Sequence, residues 1–301
     1  MSRPVLMPSG MDELWSAMER YPAALIFSGG TDALPRLRRN VIDPPALICL
    51  ERIGELRSLE ERDGGLFIGA CVTHETLLRD TCIARRWPVL YQALRVLGSP
   101  HIRHMGTIGG NIVTASPAGD TLPPLYIFDA ELEIRSPQGC RRTPIRGFIT
   151  DPGKTILQTG EVLTGVWAPA LDDGYNLQYY EKVGQRNALA ISVVSLAAGL
   201  KIGEDDVIED ARLAWGSVGP TVIRSEEIER SLRGKPLSSD TMSWAAEMAY
   251  GAVRPISDVR AGAEYRRRVA GNLLLRLPEV WGSRRSGHGA GPKDGGAVSA
   301  V

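Results

Sequence analysis

Cysteine is scarce in this chain of 301 residues: four, at 49, 71, 82 and 140. None pairs closely with another or shows metal-ligand spacing, so zinc and iron–sulfur ligation and a disulfide framework are not expected. Neither sign of charge is in excess, with 35 Lys and Arg against 35 Asp and Glu, which removes any general electrostatic attraction to nucleic acid. No run approaches about 18 apolar residues, which argues against a membrane span. Met1-Ser2-Arg3-Pro4 is not followed by an apolar signal region, and cytoplasmic residence is expected. Histidine is also rare: His74, His101, His104 and His288. His101 and His104 flank Arg103 with no evident carboxylate partner and read as loop or surface residues. No Ser/His/Asp or Cys/His arrangement emerges. Neither the dinucleotide fingerprint G-x-G-x-x-G nor a Walker A loop is present.

What is there is a 43% hydrophobic content, enough for about two domains. Ser9 is placed to cap a helix carrying Leu14, Ala17 and Met18. Strands are expected at 24–27 and 46–50, with a short helical piece between them, a small βαβ unit. Further strands are expected at 66–70, 125–128, 132–134 and 162–166, and helices at 73–78, capped by Thr73, and 89–97. Residues 98–120 show little regular periodicity. Residues 168–174 read as a junction. Strands then follow at 177–182, 191–202 and 207–218, and helices at 225–232, 238–252 and 261–276. The expected fold class is α+β. Its domains are 1–170, with subdomains of about 1–55 and 56–170, then 175–280 with an antiparallel sheet and helices, then a disordered tail at 282–301. Arg38-Arg39, Arg141-Arg142 and Arg266-Arg267-Arg268 read as solvated basic clusters.

Two loops carry the chemistry. Ser28-Gly29-Gly30-Thr31-Asp32 follows a strand and precedes a helical piece. Glycine lets backbone N–H groups approach an anion closely and adopt positive φ, and a helix start adds partial positive charge. The second loop joins Thr107-Ile108-Gly109-Gly110-Asn111 to Ala115-Ser116-Pro117-Ala118-Gly119-Asp120. Its Thr, Asn and Ser side chains can donate to a phosphate, and Asp120 can accept from a hydroxyl or a ring N–H. Together they are expected to grip one phosphate-bearing ligand from two sides.

At these residues the chain resembles the FAD-binding subunit of the molybdenum hydroxylases, the xanthine dehydrogenase and carbon monoxide dehydrogenase flavoproteins. The resemblance runs to about residue 278 and includes Ile102-Arg103, Leu47–Leu50, Ile68-Gly69-Ala70, Thr73 and Tyr180-Glu181-Lys182-Val183-Gly184-Gln185-Arg186. It implies a two-part FAD-binding domain of the vanillyl-alcohol-oxidase type, then a three-stranded antiparallel sheet with a helical bundle. It also implies roles. Ile26, Phe27, Ser28, Gly29, Gly30, Thr31, Asp32 and Ala33 would wrap the pyrophosphate. Thr107, Ile108, Gly109, Gly110, Asn111 and Ser116 would form the second FAD loop, touching the diphosphate or ribityl chain, and Asp120 the ribityl or ring edge. Leu163 matches a residue beside the adenine and Lys182 one near the flavin ring; Leu97 stands where some relatives place an aromatic ring.

The resemblance further implies one subunit of a hetero-oligomeric oxidoreductase. A large partner would carry molybdenum–pterin, and a small partner two [2Fe-2S] clusters feeding electrons to FAD here. NAD is the implied acceptor; a quinone, a ferredoxin or oxygen is the alternative. No residue of this chain is assigned as catalytic and none as a metal ligand. A self-contained FAD-dependent oxidase of the same fold and a non-catalytic assembly subunit are the competing assignments.

Overall fold

The computed structural model describes residues 3–172, 174–186, 188–285 and 298–299. The chain opens with β1 (Val5–Leu6) and α1 (Met11–Arg20). Gly10, not Ser9, takes the N-cap position; the Ser9 N–H and hydroxyl donate to the Glu13 carboxylate instead. An acid reaching back across the first turn thus satisfies the helix entry. β2 (Leu25–Phe27), α2 (Ala33–Arg38) and β3 (Leu47–Cys49) form the expected βαβ unit, and β1, β3 and β2 make a parallel sheet in that order.

Next come β4 (Leu59–Arg62), β5 (Gly65–Gly69) and α3 (His74–Arg79). The Thr73 hydroxyl accepts from Thr76 N at 3.1 Å, capping α3 as its position predicts. α4 (Thr81–Arg86) and α5 (Pro88–Val96) follow. The stretch without periodicity holds two short helices, α6 (Pro100–Met105) and α7 (Ile108–Thr114), capped by the Ser99 and Thr107 hydroxyls. Neither is long enough to display an amphipathic repeat.

Residues 125–128, expected as a strand, lie instead largely in helix α8 (Leu122–Ile127). Pro123 and Pro124 occupy its first turn, where no intrahelical N–H is needed, and every residue of the helix is buried. A helix buried all round shows the same apolar run as a strand.

β6 (Glu131–Ser136), β7 (Gly139–Pro144), β8 (Ile149–Asp151), β9 (Lys154–Thr155) and β10 (Val162–Pro169) come next. β11 (Leu177–Gly184), β12 (Val194–Ile202) and β13 (Ile208–Gly216) form the predicted antiparallel meander. Two-residue strands flank it: β14 (Ile223–Arg224) beside β13, and Val298–Ser299 parallel to the end of β11. α9 (Glu226–Leu232), α10 (Ser239–Ala252), α11 (Ala263–Asn272) and α12 (Leu277–Arg285) complete the described chain. α12 extends to Arg285, into the segment expected as a tail. Residues 286–297 and 300–301 of that tail lie outside the described residues.

The chain divides into two compact units. The first comprises Met1–Asp80, Ser99–Ser116 and Asp129–Ala170; the second comprises Thr81–Gly98, Pro117–Phe128 and Leu171–Val301. One division falls after Ala170, and α4, α5 and α8 group with the second unit. In the first unit the parallel sheet accompanies an antiparallel sheet in the order β4-β5-β10-β6-β7. Leu14, Ile48, Ile53, Leu56 and Val162 share a core there. In the second unit Leu196, Leu213, Trp215, Met242 and Leu274 form the core, and Trp215 Nε1 donates to Ala270 O at 3.0 Å.

The basic clusters differ among themselves. Arg141 makes a two-pronged pair with Glu161, both contacts at 2.7 Å. Arg266 is buried, not solvated: its guanidinium donates to Val193 O, Ser217 O and the Asp258 carboxylate at 2.8, 3.1 and 2.7 Å. Val193 immediately precedes β12 and Ser217 immediately follows β13, positions where the ladder leaves acceptors unmet. Among the described residues no helix is long and apolar enough to cross a membrane.

Candidate functional site

In the first unit, β2 runs directly into Ser28-Gly29-Gly30. A Cβ on Gly29 would stand 1.5 Å from the carbonyl oxygen of Met105, so the loop lies flat on the end of α6. Gly30 has φ of +67°, the left-handed region that glycine enters without steric cost. Its carbonyl accepts from Leu34 N at 3.0 Å, starting α2. Among the described residues, the N–H groups of Gly29, Gly30 and Thr31 meet no acceptor. A run of unpaired amides beside a glycine in this conformation is a concavity suited to an anion.

The Ser28 hydroxyl is buried, with the Cys71 thiol as a polar neighbour and no nitrogen or oxygen partner among the described residues. The Cys71 thiol near it is pushed up to about 11 by burial and so stays a neutral, weak donor. Ile26, Phe27, Thr31 and Ala33 are half-buried, and Asp32 is exposed beside Arg36.

The second loop meets the first. Gly106 follows Met105; a Cβ there would be 3.4 Å from Thr31 Oγ1 and 3.2 Å from the His74 ring. Thr107 is buried and caps α7, its hydroxyl accepting from Gly110 N at 3.1 Å. Ile108 N donates to Val72 O, Gly109 N to Ala70 O and Asn111 N to Thr107 O, each at 3.0 Å. Gly109 is pressed so closely on Ala70 that a Cβ would come within 2.5 Å of that residue's own. These amides are therefore engaged within the fold, and the loop is a rigid shelf. What it can offer a ligand is side-chain donors and the exposed face at Gly110. Asn111 and Ser116 are half-buried, and both have protein partners. Leu163 is buried in β10.

His74 was outside the predicted site. Its N–H donates to Gly106 O at 2.9 Å, its ring is buried, and Nδ1 has no partner among the described residues. Burial, then the neighbouring Arg103 charge, pulls its pKa down to about 4, so the ring is neutral near pH 7. Arg103 pairs with the Glu75 carboxylate at 3.3 Å. Sequence distance concealed that pair.

The second unit holds a different cluster. Lys182 Nζ donates to Asp120 Oδ2 at 2.8 Å and to Val96 O at 2.6 Å. The Tyr180 hydroxyl donates to Asp120 Oδ1 at 3.1 Å. All three side chains are buried, as is Leu97 beside Val96. Burial pushes the Asp120 carboxyl up; Lys182 and Tyr180 oppose that rise. Sequence reading paired neither Lys182 with Asp120 nor Tyr180 with either. The available signal was strand period: Tyr180 and Lys182 are two apart on β11 and share a face.

The two glycine-bearing bends thus lie against each other, and the first presents amides that meet no acceptor among the described residues. That donor set, with the buried Ser28 hydroxyl at its rim, fits the diphosphate of a dinucleotide such as FAD.

Comparison with known proteins agrees. Residues 1–171 match the FAD binding domain in molybdopterin dehydrogenase, and residues 178–279 the CO dehydrogenase flavoprotein C-terminal domain. The chain is 34% identical over 246 residues to the xanthine dehydrogenase FAD-binding subunit of Escherichia coli, covering 81% of this chain and 84% of that one. It is 32% identical over 249 residues to the glyceraldehyde dehydrogenase medium chain of Sulfolobus acidocaldarius, covering 83% and 87%. Among solved structures, carbon monoxide dehydrogenase from Hydrogenophaga pseudoflava superposes with a TM-score of 0.88 at 26% identity, covering 94% of this chain and 98% of that one.

Proposed function

The chain belongs to the FAD-binding medium subunits of the molybdenum hydroxylase family, and from that premise we propose how its residues hold the cofactor and what the subunit does in its assembly. The amides of Gly29, Gly30 and Thr31 bind the diphosphate oxygens, with Ser28 adding a hydroxyl donor. The neighbouring residues 26, 27, 32 and 33 complete that wrap. The side chains of Thr107, Asn111 and Ser116, with the exposed backbone face at Gly110, line the second side; Ile108 and Gly109 set the shelf by packing. Asp120 and Lys182 meet the ribityl–flavin portion, and Leu97 and Leu163 contribute apolar walls. The observation that carries this reading is the set of unpaired amides at 29–31 lying against Met105 and Gly106.

When bound, FAD supplies two-electron storage that can be filled one electron at a time. The protein binds, orients and sets the local field. The buried Lys182 ammonium places a fixed cation and the Asp120 carboxylate a fixed acceptor, in surroundings where each counts for more than in water. In the assembly, a large subunit would hold the molybdenum–pterin group that supplies substrate oxidation. A small subunit would hold the [2Fe-2S] clusters that supply electron transfer to this chain, with NAD as the acceptor this subunit would serve.

The test is purification of the full chain with its co-expressed partners, followed by flavin, iron and molybdenum analysis and anaerobic turnover with NAD. Flavin in this chain, metals in the others and substrate-dependent NADH formation support the assignment. Turnover of an organic substrate by this chain alone would replace it with a self-contained oxidase.

A further inference from the structure

The buried cluster in the second unit contains one member that the cofactor assignment does not use. Tyr180 sits in β11, two residues before Lys182, and its backbone N–H donates to Gln92 Oε1 at 2.9 Å. Gln92 is itself held, its amide donating to Gln178 O at 3.3 Å. The ring is therefore anchored from the α5 side at its backbone, and its hydroxyl reaches Asp120 Oδ1 at 3.1 Å. Lys182 reaches the other oxygen, Oδ2, at 2.8 Å and is anchored in turn by Val96 O.

Each carboxylate oxygen thus receives one donor from the protein, and each keeps a lone-pair site. A buried carboxylate with only the lysine as partner could rotate about its terminal torsion, which is soft and two-fold. A second donor on the opposite oxygen fixes the plane of the group. It also favours the charged form that burial opposes.

We propose that Tyr180 is a positioning residue for cofactor binding: its hydroxyl locks the Asp120 carboxylate, opposite Lys182, into the one orientation that can accept from a hydroxyl or ring N–H of the flavin. This rests on the reading that Asp120 meets bound FAD. Tyr180 itself need not touch the cofactor. Its effect passes through Asp120, and that dependence separates it from an ordinary packed tyrosine.

The experiment is FAD titration of the full chain by flavin fluorescence, with the midpoint potential of the bound flavin and the melting temperature of the apoprotein. The variants are Tyr180→Phe, Asp120→Asn and the double variant. Asp120→Asn is expected to weaken FAD about tenfold and Tyr180→Phe about threefold to tenfold. The double variant should be no weaker than Asp120→Asn alone, because the hydroxyl acts through the carboxylate. The potential should rise in Asp120→Asn, which removes a negative charge beside the flavin, and should move from the wild-type value in Tyr180→Phe, where the carboxylate is no longer held in place. Merely lost packing would lower the melting temperature without moving the potential.

Unchanged FAD affinity in Tyr180→Phe beside a weakened Asp120→Asn would overturn the role of Tyr180 and leave Asp120 as a contact. Additive losses would overturn it too. Unchanged affinity in Asp120→Asn would remove both the contact and the positioning. If Tyr180→Phe does not fold, Gln92→Ala releases the Tyr180 backbone and keeps the hydroxyl. Weaker FAD binding then supports the proposal, and wild-type binding and potential contradict it.

Discussion

The carbonyl oxygen of Met105 occupies the space that a Cβ on Gly29 would need, 1.5 Å from its ideal position. Residues 76 apart in sequence thereby fix the spacing between the two glycine-bearing bends of the first unit. Gly29→Ala must push backbone against backbone, with no flexible side chain to give way. The expected cost is about 1–3 kcal/mol of stability together with loss of FAD affinity. Gly54→Ala, where a Cβ meets nothing within 4 Å, is the control, expected to stay within about 0.5 kcal/mol. Urea unfolding and flavin titration of the two variants check this.

Breaking the buried ion pair of the second unit should be costly from one side. Lys182→Met leaves a buried Asp120 charge with only Tyr180 as donor, and about 3–5 kcal/mol of stability should be lost. Adding Asp120→Asn should restore part of it, since the stranded charge is then gone. Chemical denaturation of the single and double variants measures both effects.

His74 makes the fold sensitive to acid. Its folded pKa is near 4, below the ordinary value of 6.5, because burial and then Arg103 disfavour the cation. Between those values the unfolded chain binds more protons than the folded one, so stability rises with pH. It falls as pH drops from about 6.5 towards 4, by up to roughly 3 kcal/mol. His74→Gln is expected to flatten that part of the stability–pH curve. Urea midpoints at several pH values between 4 and 7 read it directly.

Arg266 braces the meander by donating to two carbonyls and the Asp258 carboxylate. Arg266→Met should cost about 3–5 kcal/mol by leaving those acceptors unmet. Arg266→Lys should recover only part, because one ammonium cannot reproduce the planar fork. Thermal unfolding of both variants tests the order.

Much of the fold was legible because its signals are local. The βαβ unit around Gly29, the Thr73 cap and the three strands of the meander follow from period and turn chemistry. The failures came where tertiary burial hid the period. Leu122–Ile127 is apolar on every side and reads as a strand. Six- and seven-residue helices at Pro100–Met105 and Ile108–Thr114 are too short to repeat. The glycine loops were visible as candidates, but their difference was not. The amides at 108–111 are engaged by Val72, Ala70 and Thr107, partners that no spacing rule connects to them. Arg266 looked solvated because it stands in a basic run, and its carbonyl partners lie 49 and 73 residues away.

The most direct measurement compares affinities for FAD and for riboflavin, which lacks the diphosphate, in the wild-type chain and in Gly29→Ala. If the amides at 29–31 hold the diphosphate, the wild type should prefer FAD strongly and the variant should lose most of that preference while binding riboflavin nearly as before. A folded Gly29→Ala chain that keeps the wild-type ratio would contradict the assignment.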